Sequence, residues 1–406
     1  MSVALVEVEA KTPIVIVSKK GKGGFLETAE YIPSSTILGG IARKIVINNY
    51  SSGFGNCAKL NGPNEFPTCS TCGVREKCIY NRIWFEKKLK LSYCFPFEQK
   101  DFEQSPPIPN LQSLFKSREE EREEELVDGL LLMALYRLSI KKWAKEETLL
   151  ERIETKTGPC KKSESSVYIQ DGKIKNLGVK TNDSPHVAIN LQFKTSEKGY
   201  LYSYTTISRE TKFTALAIGD EENIDALNGE ISIGTGKSRG NGIVELKVKK
   251  KEQLKDFISM RAKSIKKGFE EISKKMVNFL EEPHKNYLFG TVTGLSPLPL
   301  NESRPFDAVG KRISIPREQI VHLSYKRGVH IRYEFNDEKN SGPNFILSPV
   351  INPGYAGVFY TKGDLEEVSR SLAEIETNMN NYHPWFGWVT INHKIHYLNF
   401  GKNGGE

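Results

Sequence analysis

Several stretches of the chain alternate apolar and polar residues with a period of two, and one long amphipathic helix separates these stretches into two groups. Before the helix the pattern is clearest at HVAINLQF (186–193), YLYSYTTI (200–207) and KFTALAIG (212–219), which are rich in β-branched and aromatic residues. The helix is predicted over about 252–280, with apolar side chains on one side and lysines largely on the other. Strands mixed with a few helices, without a regular βαβα rhythm, predict an α+β fold.

The second half of the chain carries the same kinds of pattern as the first. VEAKTPI (8–14) and VTGLSPL (292–298) share the pattern Val-x-small-x-Ser/Thr-Pro-aliphatic, and each lies at the end of a predicted strand. This similarity hints at an internal duplication. The elements predicted after the long helix are strands near 287–295, 319–335, 345–360 and 386–400, and a helix near 364–381.

Composition places the chain among globular proteins. Apolar residues make up 38% and charged residues 27% of its 406 residues, and this length is enough for two substantial cores. The net charge of +8 fits a polyanionic partner, although a surface of solvated lysines gives the same excess. The most apolar stretch, at 126–138, is shorter than the ~20 residues of a membrane span and contains Asp128.

The N-terminus lacks the basic start of a signal peptide, so we expect a cytoplasmic protein. Its six cysteines are then expected to be metal ligands or buried thiols rather than disulfides.

The segment most suggestive of phosphate binding is ISIGTGKSRGNGIVEL (231–246), a glycine-rich run with a Gly-Lys-Ser triplet. A P-loop requires a glycine five residues before Gly236, where the chain has Ile231, and a dinucleotide fingerprint requires a glycine at the position of Arg239. Both motifs also need a helix directly afterwards. Here GIVELKVKK (242–250) has a period of two, which predicts a strand and argues against nucleotide binding.

The glycines of this loop predict positive φ angles and a close approach of another backbone. Lys237 and Arg239 supply charge, Ser238 and Asn241 supply hydrogen-bonding groups, and the N–H groups of such a loop can form an anion-binding concavity. We therefore expect a strand–loop–strand element that contacts the phosphate backbone of RNA. A long hairpin turn that happens to carry basic residues is the alternative.

Four cysteines fall in one polar segment with the spacing C-x11-C-x2-C-x5-C. They are Cys57, Cys69, Cys72 and Cys78. Four thiolates suit tetrahedral Zn²⁺, and because protein ligands would fill every position, the predicted zinc is structural rather than catalytic. The segment has little core of its own, so a metal would hold it together. A redox Cys-x-x-Cys pair is the alternative.

The histidines bear on whether the chain is an enzyme. Metal-independent RNA cleavage needs a base for the 2′-hydroxyl and an acid for the leaving oxygen, and histidine can serve as either. His393 and His396 are three residues apart in a predicted strand, which would direct them to opposite faces. His186 begins a strand and is the strongest single functional histidine, with a hydrogen-bonded histidine at a strand edge as the alternative. We expect a non-catalytic protein, with a metal-independent endoribonuclease that processes precursor RNA as the alternative.

Two further helices are predicted outside the long amphipathic one. Pro33 and the following serines precede apolar residues at helical spacing, so a helix is expected over about 35–49. The charged run SREEEREEE (117–125) is expected to open a helix that becomes apolar at Leu126.

Three stretches together resemble the RAMP superfamily of CRISPR proteins. YIPSSTILGGIARKI (31–45) is similar to its strand–turn–helix segment, residues 186–219 are similar to its strand block, and IGTGKSRGNGIVEL (233–246) looks like its glycine-rich loop before a last strand. With a cysteine insertion after the first helix, the chain looks most like the Csx-ten family, the Cas-five-like subunits of type III-D CRISPR effector complexes. The resemblance covers roughly residues 1–250.

This resemblance implies tandem ferredoxin-like (RRM-like) RAMP domains. The first would cover 1–250, with a zinc-binding insertion at 51–83 and a helical insertion at 110–160, and the second would cover 251–406. The resemblance also implies a subunit at the foot of an RNA-guided ribonucleoprotein in antiviral defence. Such a subunit grips the 5′ handle of the crRNA and contacts the Cas-ten-type large subunit and the Cas-seven-type backbone subunit.

Carried over onto this sequence, the family's RNA path would run along the glycine loop and the start of the first helix. The residues predicted to bind RNA are Gly236, Lys237, Ser238, Arg239, Gly240, Asn241, Gly242, Ser34, Ser35, Arg43 and His186. Ser34-Ser35-Thr36 stands here in place of the family's usual Gly-Ser, and Thr205 stands where an acidic residue is common. Tyr200, Tyr202 and Tyr204 share one face of a strand, which can stack on bases or be buried.

Overall fold

The computed structural model has a mixed α+β architecture with several antiparallel sheets, which confirms the predicted fold class. The residues that it describes are 1–20, 25–59, 69, 71–96, 105–117, 126–138, 160–163, 165–190, 195–277, 280, 284–334, 344–378 and 386–398. Among these residues, no helix is both long and apolar enough to cross a bilayer.

The helices are α1 (Ser34–Ser51), α2 (Ile79–Trp84), α3 (Leu130–Leu138), α4 (Glu221–Asp225), α5 (Leu254–Val277), α6 (Pro305–Ile313), α7 (Leu365–Thr377) and α8 (Ile395–Leu398). The strands before α5 are β1 (Ser2–Ala10), β2 (Val17–Lys20), β3 (Phe25–Thr28), β4 (Leu89–Leu91), β5 (Leu114–Ser117), β6 (Leu126–Asp128), β7 (Cys160–Ser163), β8 (Val167–Gln170), β9 (Lys173–Asn176), β10 (Thr181–Asn190), β11 (Thr195–Ile207), β12 (Lys212–Gly219), β13 (Gly229–Ser232) and β14 (Ile243–Gln253). The strands after α5 are β15 (Leu288–Gly294), β16 (Leu298–Pro299), β17 (Ile320–Ser324), β18 (Arg327–Glu334), β19 (Asn344–Ile351), β20 (Ala356–Thr361) and β21 (Val389–Ile391).

The chain divides into two compact units. Unit 1 consists mainly of residues 1–99 and 178–252, and unit 2 of residues 100–177, 253–335 and 342–406. The division at 252/253 falls at the start of the long helix, close to the predicted domain boundary. Residues 100–177, by contrast, group with unit 2, whereas the helical insertion predicted at 110–160 was expected in the first domain.

The main sheet of unit 1 has the strand order β13-β14-β1-β12-β4. β1 alternates apolar residues with glutamates and pairs antiparallel with β12, from Ser2↔Gly219 to Glu9↔Lys212. A second sheet, with the order β10-β11-β3-β2, completes the unit. The order of the main sheet sets the β13–β14 hairpin, which carries the glycine loop, beside the central strand β1.

The main sheet of unit 2 has the order β17-β20-β15-β21. In chain order these are its second, third, first and fourth strands, and β4-β12-β1-β14 of unit 1 follows the same order. α6 follows the first strand and α7 the third, as α1 and α4 do in unit 1. VEAKTPI and VTGLSPL lie at the ends of the two corresponding first strands, β1 and β15, which favours the predicted duplication.

The core of unit 2 lies between this sheet and three helices. Phe269 of α5, Val309 of α6 and Leu372 of α7 pack against Val292 and Phe359 of the central strands. The apolar positions recur at helical spacing in all three helices, so each buries one side and leaves the other to water.

A buried ion pair joins two of these helices. The Arg261 guanidinium on α5 donates to both carboxylate oxygens of Glu376 on α7, over 2.8 Å each, and both side chains are almost fully buried. The Glu376 carboxylate also accepts the backbone N–H of Ile391 in β21. The pair therefore links α5, α7 and an edge strand of the sheet.

Two sequence predictions of secondary structure are wrong. Residues 126–128 pair with β5 as strand β6, so the helix begins only at Leu130 and residues 118–125 lie outside the described residues. The strand predicted near 386–400 ends at Ile391, because Asn392 has a φ of +52° and its amide side chain bonds to neighbouring backbone. The short helix α8 follows it.

Candidate functional site

The glycine loop joins β13 to β14, and its centre is a short 3-10 turn at Lys237–Arg239. Gly236 before the turn and Gly240 after it both adopt the left-handed conformation. β14 begins at Ile243, so a strand follows the loop, as predicted from the alternating pattern. The helix N-terminus that a nucleotide phosphate needs does not follow this loop.

Gly242 shows why the flanks of the loop require glycine. Its φ is +85°, and a Cβ there would lie 2.1 Å from the carbonyl oxygen of Ile233. Gly234 meets a similar constraint, since its Cβ would lie 2.3 Å from the carbonyl oxygen of Val15. The close approach predicted from these glycines is therefore made by the chain's own backbone.

Backbone N–H groups at both ends of the loop are already bonded within unit 1. Thr235 donates to the carbonyl oxygen of Val15 at 3.0 Å, and Gly242 donates to that of Pro13 at 2.8 Å. These N–H groups are not available to an anion, so the predicted anion-binding concavity is wrong at these two positions. The bonds instead fix the loop against residues 13–15, with Lys237 exposed at its turn.

A second cation lies near the turn. Partial desolvation and the positive charge of Arg43, an exposed residue of α1, both lower the pKa of Lys237. Two like charges held near each other by separate elements raise the energy of the charged state. A phosphate between Lys237 and Arg43 would relieve that repulsion, so the pair is suited to an anionic ligand.

The face of α1 that carries Arg43 is open beside this pair. α1 packs closely on β13, since a Cβ on Gly40 would lie 2.9 Å from Ile231 Cδ1. Gly39 is exposed, one turn before Arg43, and its Cβ position has nothing within 4 Å. Glycine inside a helix costs about 0.5–1 kcal/mol relative to alanine, and no packing contact requires it here. Sequence reasoning missed Gly39, although a Gly-Gly pair inside a predicted helix was a usable signal.

The remaining residues of the predicted RNA path are placed differently. Ser34 is fully buried, and its hydroxyl finds no hydrogen-bond partner among the described residues, which removes it from the surface that a ligand reaches. Ser35 is half-buried at the start of α1. His186 lies in β10 opposite Tyr202, and the side chains of His186 and Arg239 lie outside the described residues. Tyr204 is buried, which favours the second of the two interpretations of the tyrosine strand.

The four cysteines predicted to bind zinc line one small cavity of about 20 Å³, a volume that suits a single ion or water. Asn49, in the last turn of α1, donates to Cys78 Sγ at 3.8 Å, and the Asn56 N–H donates to Cys72 Sγ at 3.4 Å. Burial, together with the nearby thiols of Cys78 and Cys72, raises the pKa of Cys57. The local spacing therefore brings the thiols together, as the sequence predicts.

The donor set fits a structural zinc ion in its chemistry. Four thiols suit tetrahedral Zn²⁺, and N–H···S bonds of this kind orient thiolate ligands. No group of three or more His, Cys, Asp or Glu side chains in the described residues has the arrangement of a formed metal centre. Residues 60–68 and Ser70, which link Cys57, Cys69 and Cys72, lie outside those residues, and the zinc stays a prediction.

An Asp–His–hydroxyl chain in unit 2 has the order of groups found in nucleophilic triads. His396 Nδ1 lies 2.8 Å from the Asp128 carboxylate, and its Nε2 lies 2.6 Å from Thr293 Oγ1. Both His396 and Thr293 are almost fully buried, so a substrate cannot reach the hydroxyl in this arrangement. This hydrogen-bonded series therefore satisfies the buried Asp128 carboxylate and stabilises the core of unit 2.

His393 is likewise a core residue. Its Nε2 lies 2.9 Å from the carbonyl oxygen of Pro106, and its Nδ1 accepts the N–H of Ile395. Burial, and secondarily His396, lower its pKa to about 3, so the ring is neutral at physiological pH. The two rings are 6.3 Å apart, because they follow β21 in a turn and in α8, and the prediction that a strand directs them to opposite faces is wrong.

No protein-family model matches the chain, and no curated protein matches it in sequence. Among solved structures, a chain of a type III-B Cmr-beta complex bound to cognate target RNA and AMPPnP is 15% identical, with a TM-score of 0.37 over 91% of this chain and 94% of that one. A chain of the Cmr-beta complex bound to cognate target RNA gives 14%, a TM-score of 0.38 and the same coverage. A chain of the apo Cmr-beta complex gives 12%, a TM-score of 0.28, and 61% and 97% coverage. At these identities and TM-scores, the likeness assigns neither a family nor an activity to this chain.

Proposed function

We propose that this chain is a non-catalytic RNA-binding subunit of a type III CRISPR effector ribonucleoprotein. The observation that carries the proposal is the glycine loop itself, which exposes Lys237 at its turn, within the electrostatic influence of Arg43, together with the open helix face at Gly39. Single-stranded RNA is bound by positive charge that follows the backbone, and a surface without a side chain lets that backbone come close. The net charge of +8 and the three RAMP-like sequence stretches support the same function.

The finer assignment is to the Cas-five-like subunits of type III-D complexes. It is supported by the sequence resemblance and by the shared strand order of the two main sheets, which is that of the β-α-β-β-α-β ferredoxin-like motif. In this assignment the glycine loop grips the 5′ handle of the crRNA, and the partners are a Cas-ten-type large subunit and a Cas-seven-type backbone subunit. Co-purification of the native protein, with sequencing of bound RNA and identification of its companions, tests these partners.

Replacing Lys237 and Arg239 with alanine should weaken binding of the guide RNA and make it less sensitive to salt. Each phosphate contact removed should lower the slope of log K against log salt by about 0.7. The measurement is a titration of purified protein with crRNA at several salt concentrations. Lys180→Ala, which removes an exposed lysine elsewhere in unit 1, is the matched control and should leave the slope unchanged.

An unchanged affinity and slope in the double variant would remove the loop from the RNA path. The same preparation distinguishes the catalytic alternative, in which the chain itself cuts precursor RNA. Incubation with repeat RNA in EDTA should give no specific cleavage. Cleavage that disappears in His186→Ala would instead establish an endoribonuclease.

Gly39→Ala should raise the stability of the protein and lower its affinity for RNA. Alanine raises helix propensity, so the free energy of unfolding should rise by about 0.5–1 kcal/mol. RNA affinity should fall, because the new methyl group occupies the surface beside Arg43. Thermal unfolding and RNA titration measure the two effects. Asn48→Ala, at the opposite side of the same helix, should raise stability by a few tenths of a kcal/mol and leave affinity unchanged, and equal behaviour of both variants would contradict the assignment.

A further inference from the structure

Two tyrosines are stacked at one end of the main sheet of unit 2. The rings of Tyr287, just before β15, and Tyr360, in β20, have centroids 4.8 Å apart and planes 10° from parallel. His284 contacts both rings edge-on, with centroids 5.8 Å and 6.3 Å away. All three side chains are partly exposed. We call Tyr287, Tyr360, His284 and the adjacent Lys362 the tyrosine patch.

The tyrosine patch belongs to the sheet face that points away from the helices of the core. Phe359 and Val292 face α5, α6 and α7, and strand alternation therefore turns Tyr360 and its cross-strand partner Phe289 to the other side. β15 and β20 are the two central strands of the sheet. Tyr360 and Phe289 thus lie on the two central strands, on the face that the core helices do not cover.

Part of that face is covered by another element. α3 packs against β17 and β20, and Val358, two residues before Tyr360, is buried. The patch lies where this cover ends, since Tyr360 remains partly exposed and Lys362 after it is exposed. A ligand can therefore reach the ring pair from solvent.

The ring of Tyr287 also contacts the ammonium group of Lys362. The Lys362 ammonium lies 4.8 Å from the centroid of Tyr287, within the range of a cation–π interaction. In the part of the chain that the structure describes, Lys362 makes no ion pair with a carboxylate. Its charge is thus available to an anionic group on a ligand that enters beside the ring.

We propose that the tyrosine patch is a second RNA-binding site, which stacks a base of single-stranded RNA. RRM domains bind single-stranded RNA by stacking bases on aromatic side chains of a four-stranded sheet, and proteins that bind single strands follow the phosphate backbone with positive charge. A base that stacks on Tyr287 replaces the Lys362 ammonium on the ring and leaves it beside the adjoining phosphate. This inference rests on the proposed function for its ligand class, but it assigns binding to unit 2, for which the sequence resemblance is thin.

Tyr287→Leu should reduce affinity for a uridine-rich RNA of about 12 nucleotides by about tenfold, the effect of losing one stacked base. Tyr287→Phe keeps the ring and should bind as the unchanged protein does. Tyr136→Leu, which removes an exposed tyrosine on α3, is the matched control. Thermal unfolding of each variant confirms that it is folded before binding is compared.

Photo-cross-linking locates the contact independently of affinity. With 5-iodouridine in the same RNA, the full-length protein should give a cross-linked peptide containing Tyr287, and this cross-link should be lost in Tyr287→Leu. A cross-link in the glycine loop alone, with unchanged affinity of Tyr287→Leu, would overturn the patch and leave the proposed function standing. A cross-link at Tyr287 alone would support the patch and count against the loop. If Tyr287→Leu disturbs only binding of a protein subunit, the patch is a protein contact and the inference is wrong.

Discussion

Glu376→Ala is expected to lower the free energy of unfolding by about 3–5 kcal/mol, because it leaves the Arg261 guanidinium charged and buried without its partner. The loss is large because Arg261 donates two parallel hydrogen bonds to this carboxylate, whereas Thr390 Oγ1 and the Ile391 carbonyl, to which it also donates, carry no charge. Urea unfolding of the full chain, followed by far-UV circular dichroism, measures the change. Arg261→Ala should cost a similar amount for the mirrored reason.

The matched control is the exposed ion pair on the same helix. Arg370 and Glu374 are four residues apart on α7, and both side chains are largely exposed. Glu374→Ala should therefore change the free energy of unfolding by no more than about 1 kcal/mol. A double variant, Arg261→Met with Glu376→Leu, should recover much of the loss, since apolar residues of similar volume need no charge partner. Equal losses at Glu374 and Glu376 would contradict the buried role.

The strands and helices were predictable wherever the hydrophobic pattern repeated several times along the chain. α1 and α5 lie within three residues of their predicted ends, because helical spacing of apolar residues is a local property. β21 stops at Ile391 for a non-local reason, since Asn392 bonds to Thr291 in β15 and to Ile265 in α5. A single sequence does not show such partners, and the prediction of a longer strand failed there.

The candidate site was predictable in part for the same reason. Spacing alone predicted that the cysteines meet, and the period-two pattern after Gly242 predicted a strand. The neighbours of the glycines were not predictable, because Val15 and Pro13 lie more than two hundred residues earlier in the chain. The tyrosine patch depends on β15 pairing with β20, some seventy residues apart, and no motif marks it.

The segment that carries the four cysteines packs against α1, the helix that carries the proposed RNA-binding face. Cys69 packs with Ala42 and Val46 of α1 and with Tyr80 of α2. Asn49, also in α1, donates a hydrogen bond to Cys78. A metal that fixes the four thiols would therefore hold α2 and the cysteine segment against the C-terminal half of α1.

Cys72→Ser is expected to abolish binding of about one zinc ion per chain and to lower the stability of unit 1. A bound structural metal contributes its binding free energy to folding, so the loss should be at least about 3 kcal/mol, or roughly 10 °C in Tm. Metal analysis of the purified chain and thermal unfolding, each with and without a chelator, measure the two effects. Cys94→Ala removes a buried thiol outside the cluster, so it should lower Tm yet keep the zinc and the response to chelator. The prediction fails if the chain purifies without zinc and neither chelator nor Cys72→Ser changes its Tm. The four thiols would then be packing residues around an empty cavity.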